Sequence, residues 1–293
     1  MNNKSFHKLS NNLVNAFLKN KIIKPLPKNI TKKFEVSNKF RKLCESKIKE
    51  PVIGFKAAGT GIPLIKKLKE KEPFYASVYK RNFLKSGKRV KINKSTLGIE
   101  LEVCYKIKKS FFSSKGTITL KNISKYISHM ASCIEVEVCY LIKKIFFTSK
   151  KVITMKNVTK FISHMAPCIE VVGYRQKRRG ITSYGELSSD FGVNVKFLIG
   201  KKKKFKKINI SNLKANISNK KIKQTVNGNT NAVYVNPLNS LRFVLNKIKK
   251  DKTNLGKDFY VFTGSTVGVV PILSKGLYTG RIEKLGSVKA III

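Results

Sequence analysis

Acid is the scarce chemistry in this chain. It carries 15 Asp and Glu against 62 Lys and Arg. Five of those fifteen fall in short apolar stretches of β character: Glu100 and Glu102 in GIELEVCYKI, Glu135 and Glu137 in IEVEVCYLI, and Glu170 in CIEVV. Residues two apart on a strand project from the same face. Glu100 and Glu102 therefore stand side by side while Leu101 and Val103 face the other way, and Glu135 and Glu137 repeat the arrangement. Neighbouring carboxylates repel, and withdrawing each from water costs several kcal/mol. A bound cation answers both problems. Three carboxylates on adjacent strands form an oxygen ligand set suited to Mg²⁺ or Mn²⁺, with coordination positions left for water and a substrate. The competing reading is ordinary: solvent-facing glutamates paired with cross-strand lysines. Glu170 makes the set more specific, because it follows Ala166-Pro167 at a fixed distance from an E-x-E strand.

The strands that must position these glutamates lie in a tandem duplication with a period of 35 residues. Residues 100–134 read ELEVCYKIKKSFFSSKGTITLKNISKYISHMASCI, and 135–169 read EVEVCYLIKKIFFTSKKVITMKNVTKFISHMAPCI; 24 of the 35 positions are identical. Two copies are too few for a solenoid. Each copy reads as strand, loop, helix and the start of a further strand. Thr119 or Thr154 is the N-cap of a helix running to about His129 or His164, where the histidines cap or pack.

Elsewhere, 51–63 (PVIGFKAAGTGIP) predicts a strand entering a glycine-rich turn, and 75–107 and 192–200 hold further strands. Lys201–Lys207 reads as a solvated loop. Asn236-Pro237 opens an amphipathic helix over 238–250. Short strands follow in FYVFTGS, VGVVPIL, GLYTGRIE and GSVKAIII. The predicted class is α+β, a β-rich roll or barrel over 51–293 behind a helical segment over 1–50. Five cysteines without a C-x-x-C pair argue against a zinc knuckle or disulfide framework and fit a reducing cytoplasm. No apolar run is long enough to span a membrane.

The order of motifs resembles a known family. Gly54-Phe55-Lys56 comes first, then an E-x-E strand, then Pro167-Cys168-Ile169-Glu170-Val171-Val172 leading to Arg175. DFGVNVKFLIG from Asp190, Asn236-Pro237-Leu238-Asn239, Thr263-Gly264-Ser265 and Leu285-Gly286-Ser287-Val288 follow. Over about residues 40–293 this is similar to the 2-keto-4-pentenoate hydratase and 4-oxalocrotonate decarboxylase group of the fumarylacetoacetate hydrolase superfamily. The resemblance implies a β-rich fold of that type, a homo-oligomer, and Mg²⁺ or Mn²⁺ held by three glutamates. It also implies a small 2-keto acid substrate, with Lys56 and Asp190 catalytic and Arg175, Thr263 and Ser265 binding substrate. A proton-transferring Lys56 would need a lowered pKa. Two departures stand out: Phe191 follows Asp190 where members often have Asn, and Tyr79–Asn82 lacks an acid found nearby in related hydratases.

The duplication leaves three triads open. The second copy offers Glu135, Glu137 and Glu170, and is favoured because Pro167 and the VVGYR stretch adjoin it. The first offers Glu100, Glu102 and Glu135. A hybrid takes Glu100, Glu102 and Glu170 with the middle segment extruded. In each case one unit is surplus and must pack outside, swap between subunits or disturb the fold.

Two other function classes compete. A formal charge of +47 fits a polyanion partner, making RNA or DNA binding the alternative to an enzyme. Only 8 of the 62 basic residues are Arg, which fits lysine drift better than a nucleic-acid reader. The other alternative is a catalytically weakened relic that keeps the fold.

Overall fold

The computed structural model describes residues 3–107, 153–178, 180–205 and 208–293. Three helices open the chain: α1 (Asn3–Lys19), α2 (Lys28–Thr31) and α3 (Phe34–Lys47). Leu13, Val14 and Phe17 of α1 and Phe40 and Cys44 of α3 face one another in a small core that also takes in Tyr79 and Phe191. The helices thus back directly onto the segment that follows Asp190.

Most of the remaining described chain is sheet. The larger sheet runs in the order β2 (Phe74–Tyr79), β1 (Val52–Ala58), β11 (Phe259–Ser265), β5 (Thr96–Ile107), β6 (Ile162–Gly173), β7 (Asn194–Ile199) and β3 (Phe83–Lys85). The short β8 (Lys203–Lys204) also pairs with β6. The second sheet is ordered β10 (Gln224–Asn229), β9 (Lys214–Asn219), β12 (Gly276–Ile282), β13 (Gly286–Ile292) and β4 (Arg89–Val90). Alternation along the strands sends Leu101, Val103, Ile169 and Val171 into the core shared with Tyr278, Val288 and Ala290 of the second sheet. The opposite, concave face of the larger sheet keeps the glutamates. The α+β class read from the sequence, with a curled sheet behind N-terminal helices, is borne out. Among the described residues no helix is long and apolar enough to cross a membrane.

Three further helices complete the frame: α4 (Ile62–Lys67), α5 (Tyr184–Ser189) and α6 (Pro237–Lys250). Asn236 caps α6, accepting a hydrogen bond from the Leu238 N–H at 2.8 Å, and Pro237 fills the first turn, where no N–H is needed.

The helix expected from Thr154 to His164 is not formed. A single 3-10 turn spans Val158–Phe161, and β6 begins at Ile162. His164 lies on that strand opposite Lys106 and is not at a helix end. Burial explains the difference: ISHMAPCIEVVG is enclosed between β5 on one side and β7 and β8 on the other. Tertiary pairing outweighs a weak helical preference. Pro167 falls between the residues that pair with β8 (164 and 165) and those that pair with β7 (168–172). Of the stretch VGVVPIL, only Val270 takes part in a bridge, to Ile99. The lysine run contributes the two-residue β8, with 206 and 207 outside the described residues.

Candidate metal and substrate site

The β5–β6 ladder sets Glu100 directly opposite Glu170, with Glu102 two residues along, opposite Cys168. One oxygen from each of Glu100, Glu102 and Glu170 lies within 4.8 Å of the others. Glu102 and Glu170 are fully buried, and neither oxygen of Glu102 receives a well-placed hydrogen bond. Like charges facing each other on a ladder are destabilising, and a buried carboxylate whose one backbone donor, Gly264, is poorly placed is more so. Oxygens around an octahedral Mg²⁺ or Mn²⁺ stand roughly 3–4 Å apart. The three carboxylates need to close only slightly on a common centre, so the donor set fits such an ion.

Sheet curvature brings Lys56, on β1 two strands away, onto the same cluster. Its Nζ lies 2.6 Å from Glu170 Oε2 and 3.7 Å from Glu100 Oε2, and it donates to the Gly192 carbonyl at 3.3 Å. Three carboxylates against one ammonium leave a formal charge of −2. Burial pushes the Glu102 carboxyl up to about 7; Lys56 opposes that rise and Glu100 adds to it. Burial raises Glu170 too, against Lys56 and with Glu102 and Glu100. Lys56 corrects the sequence-based expectation of a lowered pKa. Burial would lower it, but Glu170, Glu100 and Glu102 outweigh burial and hold the ammonium above the ordinary lysine range.

Above the cluster opens a cavity of about 490 Å³. Its closed end is polar, with Lys56, Glu100 and Glu102. Its walls are apolar: Leu64 from α4, Leu97 and Val172 from the central strands, Leu187 from α5, and Ile181 and Val193. The Gly59–Gly61 turn forms the rim and is held from behind by the Tyr184 hydroxyl, which donates to the Gly59 carbonyl at 2.6 Å.

The other residues singled out in the sequence lie in different settings. Ser265 lines the cavity, its hydroxyl donating to the Gly268 carbonyl at 2.9 Å. Asp190, Arg175 and Thr263 are not part of the lining. Asp190 is fully buried and accepts from the Arg175 backbone N–H at 2.8 Å, the Arg175 guanidinium at 3.0 Å and the Gln176 amide at 3.1 Å. Arg175 also donates to the Asn194 carbonyl and is flanked by the rings of Phe17 and Phe191. Thr263 spends its hydroxyl on the Val103 carbonyl of β5 at 2.7 Å. Glu135 and Glu137 lie outside the described residues, so the described cluster is the hybrid set and not the favoured second-copy triad.

Sequence reading missed the walls and the turn beside Lys56. Phe191, Gly192 and Val193 all have positive φ, at 55°, 69° and 55°. For a β-branched valine that is a strained conformation, of a kind that clusters at functional sites. Nothing in DFGVN announces it. The helix α5 did leave a signal: Ser183 with Glu186 three residues on. The Ser183 hydroxyl accepts from the Glu186 N–H at 3.1 Å.

No family model and no curated protein sequence matches this chain. Solved structures do match. The 4-oxalocrotonate decarboxylase from Pseudomonas putida G7, complexed with magnesium and adipate, superposes with a TM-score of 0.73 at 15% identity, covering 100% of this chain and 99% of that one. Its complex with calcium and acetate gives 0.71 at 16% identity and the same coverage. The shared feature is the fold, that of the fumarylacetoacetate hydrolase type, over the full length of both chains.

Proposed function

We propose that this chain is a divalent-metal-dependent lyase acting on a 2-keto acid of the 2-keto-4-pentenoate type, with Mg²⁺ or Mn²⁺ held by Glu100, Glu102 and Glu170. The observation that carries the reading is a set of three converging carboxylates, two of them fully buried, at the closed end of a substrate-sized cavity. The decarboxylase of like fold was solved with magnesium, which agrees with the choice of ion.

When bound, the ion would supply Lewis acidity toward the keto and carboxylate oxygens of the substrate. The chain's own residues do the rest. Lys56, at the closed end of the cavity, holds a proton at Nζ, and a cation on the three carboxylates would relieve the negative charge that raises its pKa. Lys56 gives that proton to the substrate and recovers one from the water that adds across the alkene, so the hydrogen and hydroxyl are both accounted for. Ser265 contacts the substrate at the lip. Arg175 and Asp190 act as positioning residues, fixing the Phe191–Val193 turn against Lys56, and Thr263 fixes β5. The apolar walls exclude bulk water and accept an uncharged tail, which favours a pentenoate-like substrate over one ending in a second carboxylate. A homo-oligomer forms part of the reading, and sedimentation would measure it.

The test is deuterium exchange at the carbon next to the keto group of 2-ketobutyrate, followed by NMR in D₂O. Exchange should require Mg²⁺ or Mn²⁺ and fall at least 100-fold in Glu102→Gln. Exchange unaffected by chelator, or by loss of Glu102, would refute the reading.

A further inference from the structure

The duplication poses a question that geometry answers: which copy builds the site. Every residue 100–107 in β5 has a counterpart 35 positions later, and every residue 162–169 in β6 has one 35 positions earlier. Either E-x-E stretch could in principle fill β5, and either CIE stretch could fill β6. The residues just outside the matched segments break the tie.

At the entry to β5 stands Gly98. A Cβ there would run into the Val270 carbonyl oxygen and lie 2.8 Å from the Val269 side chain, so the position admits only glycine without displacing backbone. The approach is fixed by two hydrogen bonds, Ile99 N–H to Val270 O at 2.9 Å and Val270 N–H to Ile99 O at 2.8 Å. The equivalent position before the second E-x-E is Cys133. Leu97, a cavity wall residue, would likewise be replaced by Ser132.

The exit of β6 discriminates in the opposite direction. Val172 is 1% exposed and lines the cavity, while Gly173 packs so tightly on the turn before β5 that a Cβ would lie 2.9 Å from both Ser95 O and Thr96 Cα. Their first-copy counterparts are Glu137 and Val138. A charged residue would enter an apolar wall, and a branched one would occupy filled space.

We propose that the site is assembled from the front of the first copy and the back of the second, selected by Gly98, Val172 and Gly173. On this assignment Glu135 and Glu137 are spare, and one whole 35-residue unit is dispensable. The proposal rests on the metal reading above only for its readout. The connection from the end of β5 to the start of β6, residues 108–161, is 54 residues long. Ile107 and Ile142 are equivalent in the repeat, so deleting 108–142 joins Ile107 to Lys143 in the register of a single copy and leaves 19 residues to span the gap. Ile153, Val158 and Phe161, which are buried in the main core, are all retained.

The test uses the full chain and two kinds of change, with Mn²⁺ affinity and thermal unfolding measured on each. The chain lacking 108–142 should bind Mn²⁺ within about threefold of the parent and melt no lower. In the undeleted chain, Glu135→Gln with Glu137→Gln should leave Mn²⁺ affinity unchanged, while Glu100→Gln with Glu102→Gln should lose at least 100-fold. The reverse pattern in the two double variants would overturn the assignment even if the deletion fails to fold. A deletion that folds yet loses the ion would overturn it as well. Mn²⁺ binding absent from the parent chain and all variants would instead count against the metal reading. In that case the assembly claim is decided by the deletion's melting temperature, and a marked drop would overturn it.

Discussion

Two buried ionic clusters lie on either side of the Phe191–Val193 turn, and they are built on opposite principles. Around Asp190 each charge is answered: one carboxylate meets one guanidinium, two further N–H donors complete its shell, and Arg175 has Phe17 and Phe191 as ring neighbours. Around Glu102 the account is left open. Three carboxylates face one ammonium, and both Glu102 oxygens lack a well-placed donor. A complete network rigidifies what surrounds it, whereas an incomplete one is costly unless a ligand finishes it. On the function proposed above, the first cluster is scaffold and the second is the one that a cation would complete.

That contrast can be broken most forcefully at Arg175. Arg175→Met strands a buried Asp190 charge and should destabilise the protein by about 3–5 kcal/mol, read from urea unfolding; a loss under about 1 kcal/mol would erase the distinction. The next effect concerns pH. With chelator present, Glu102 titrates near 7 in the folded chain against an ordinary 4.5. Between those values the native state binds more protons than the unfolded one, so stability falls as pH rises from about 4.5 to 7. The drop amounts to about 3 kcal/mol for a shift of this size. Glu170 shifts in the same direction. Saturating Mn²⁺ should offset the fall, since an ion at 100 times its Kd adds about 2.7 kcal/mol. Glu102→Gln sharpens the contrast by sign: in chelator at pH 7 it should gain about 1 kcal/mol or more, where Arg175→Met loses. Smallest is the deletion of 108–142. Thermal unfolding should show its melting temperature unchanged or modestly raised.

Much of this was legible beforehand because strands announce themselves by alternation. The stretch GIELEVCYKI gave β5, with its acidic pair on one face, and FYVFTGS gave β11 in full. The concave partnership of Lys56 with Glu170 was not legible. It depends on sheet curvature across β11 and β5, and curvature leaves no local pattern. The choice between copies was not legible in the sequence for a related reason. Pro167 lies within β6 and Val171–Gly173 close it, but neither carries information about which strand pairs with it. That lies in Gly98, whose meaning depends on the carbonyl of a residue 172 positions away. The helix read at 154–164 failed because burial on both edges of β6 decided its state, and a single stretch of sequence does not display its neighbours.

Anomalous diffraction from crystals grown with Mn²⁺ addresses the central claim most directly. One strong peak is expected about 2.1 Å from oxygens of Glu100, Glu102 and Glu170, with the Lys56 ammonium moved off Glu170. A peak on Glu135 and Glu137, or none at the cluster at saturating Mn²⁺, would contradict it.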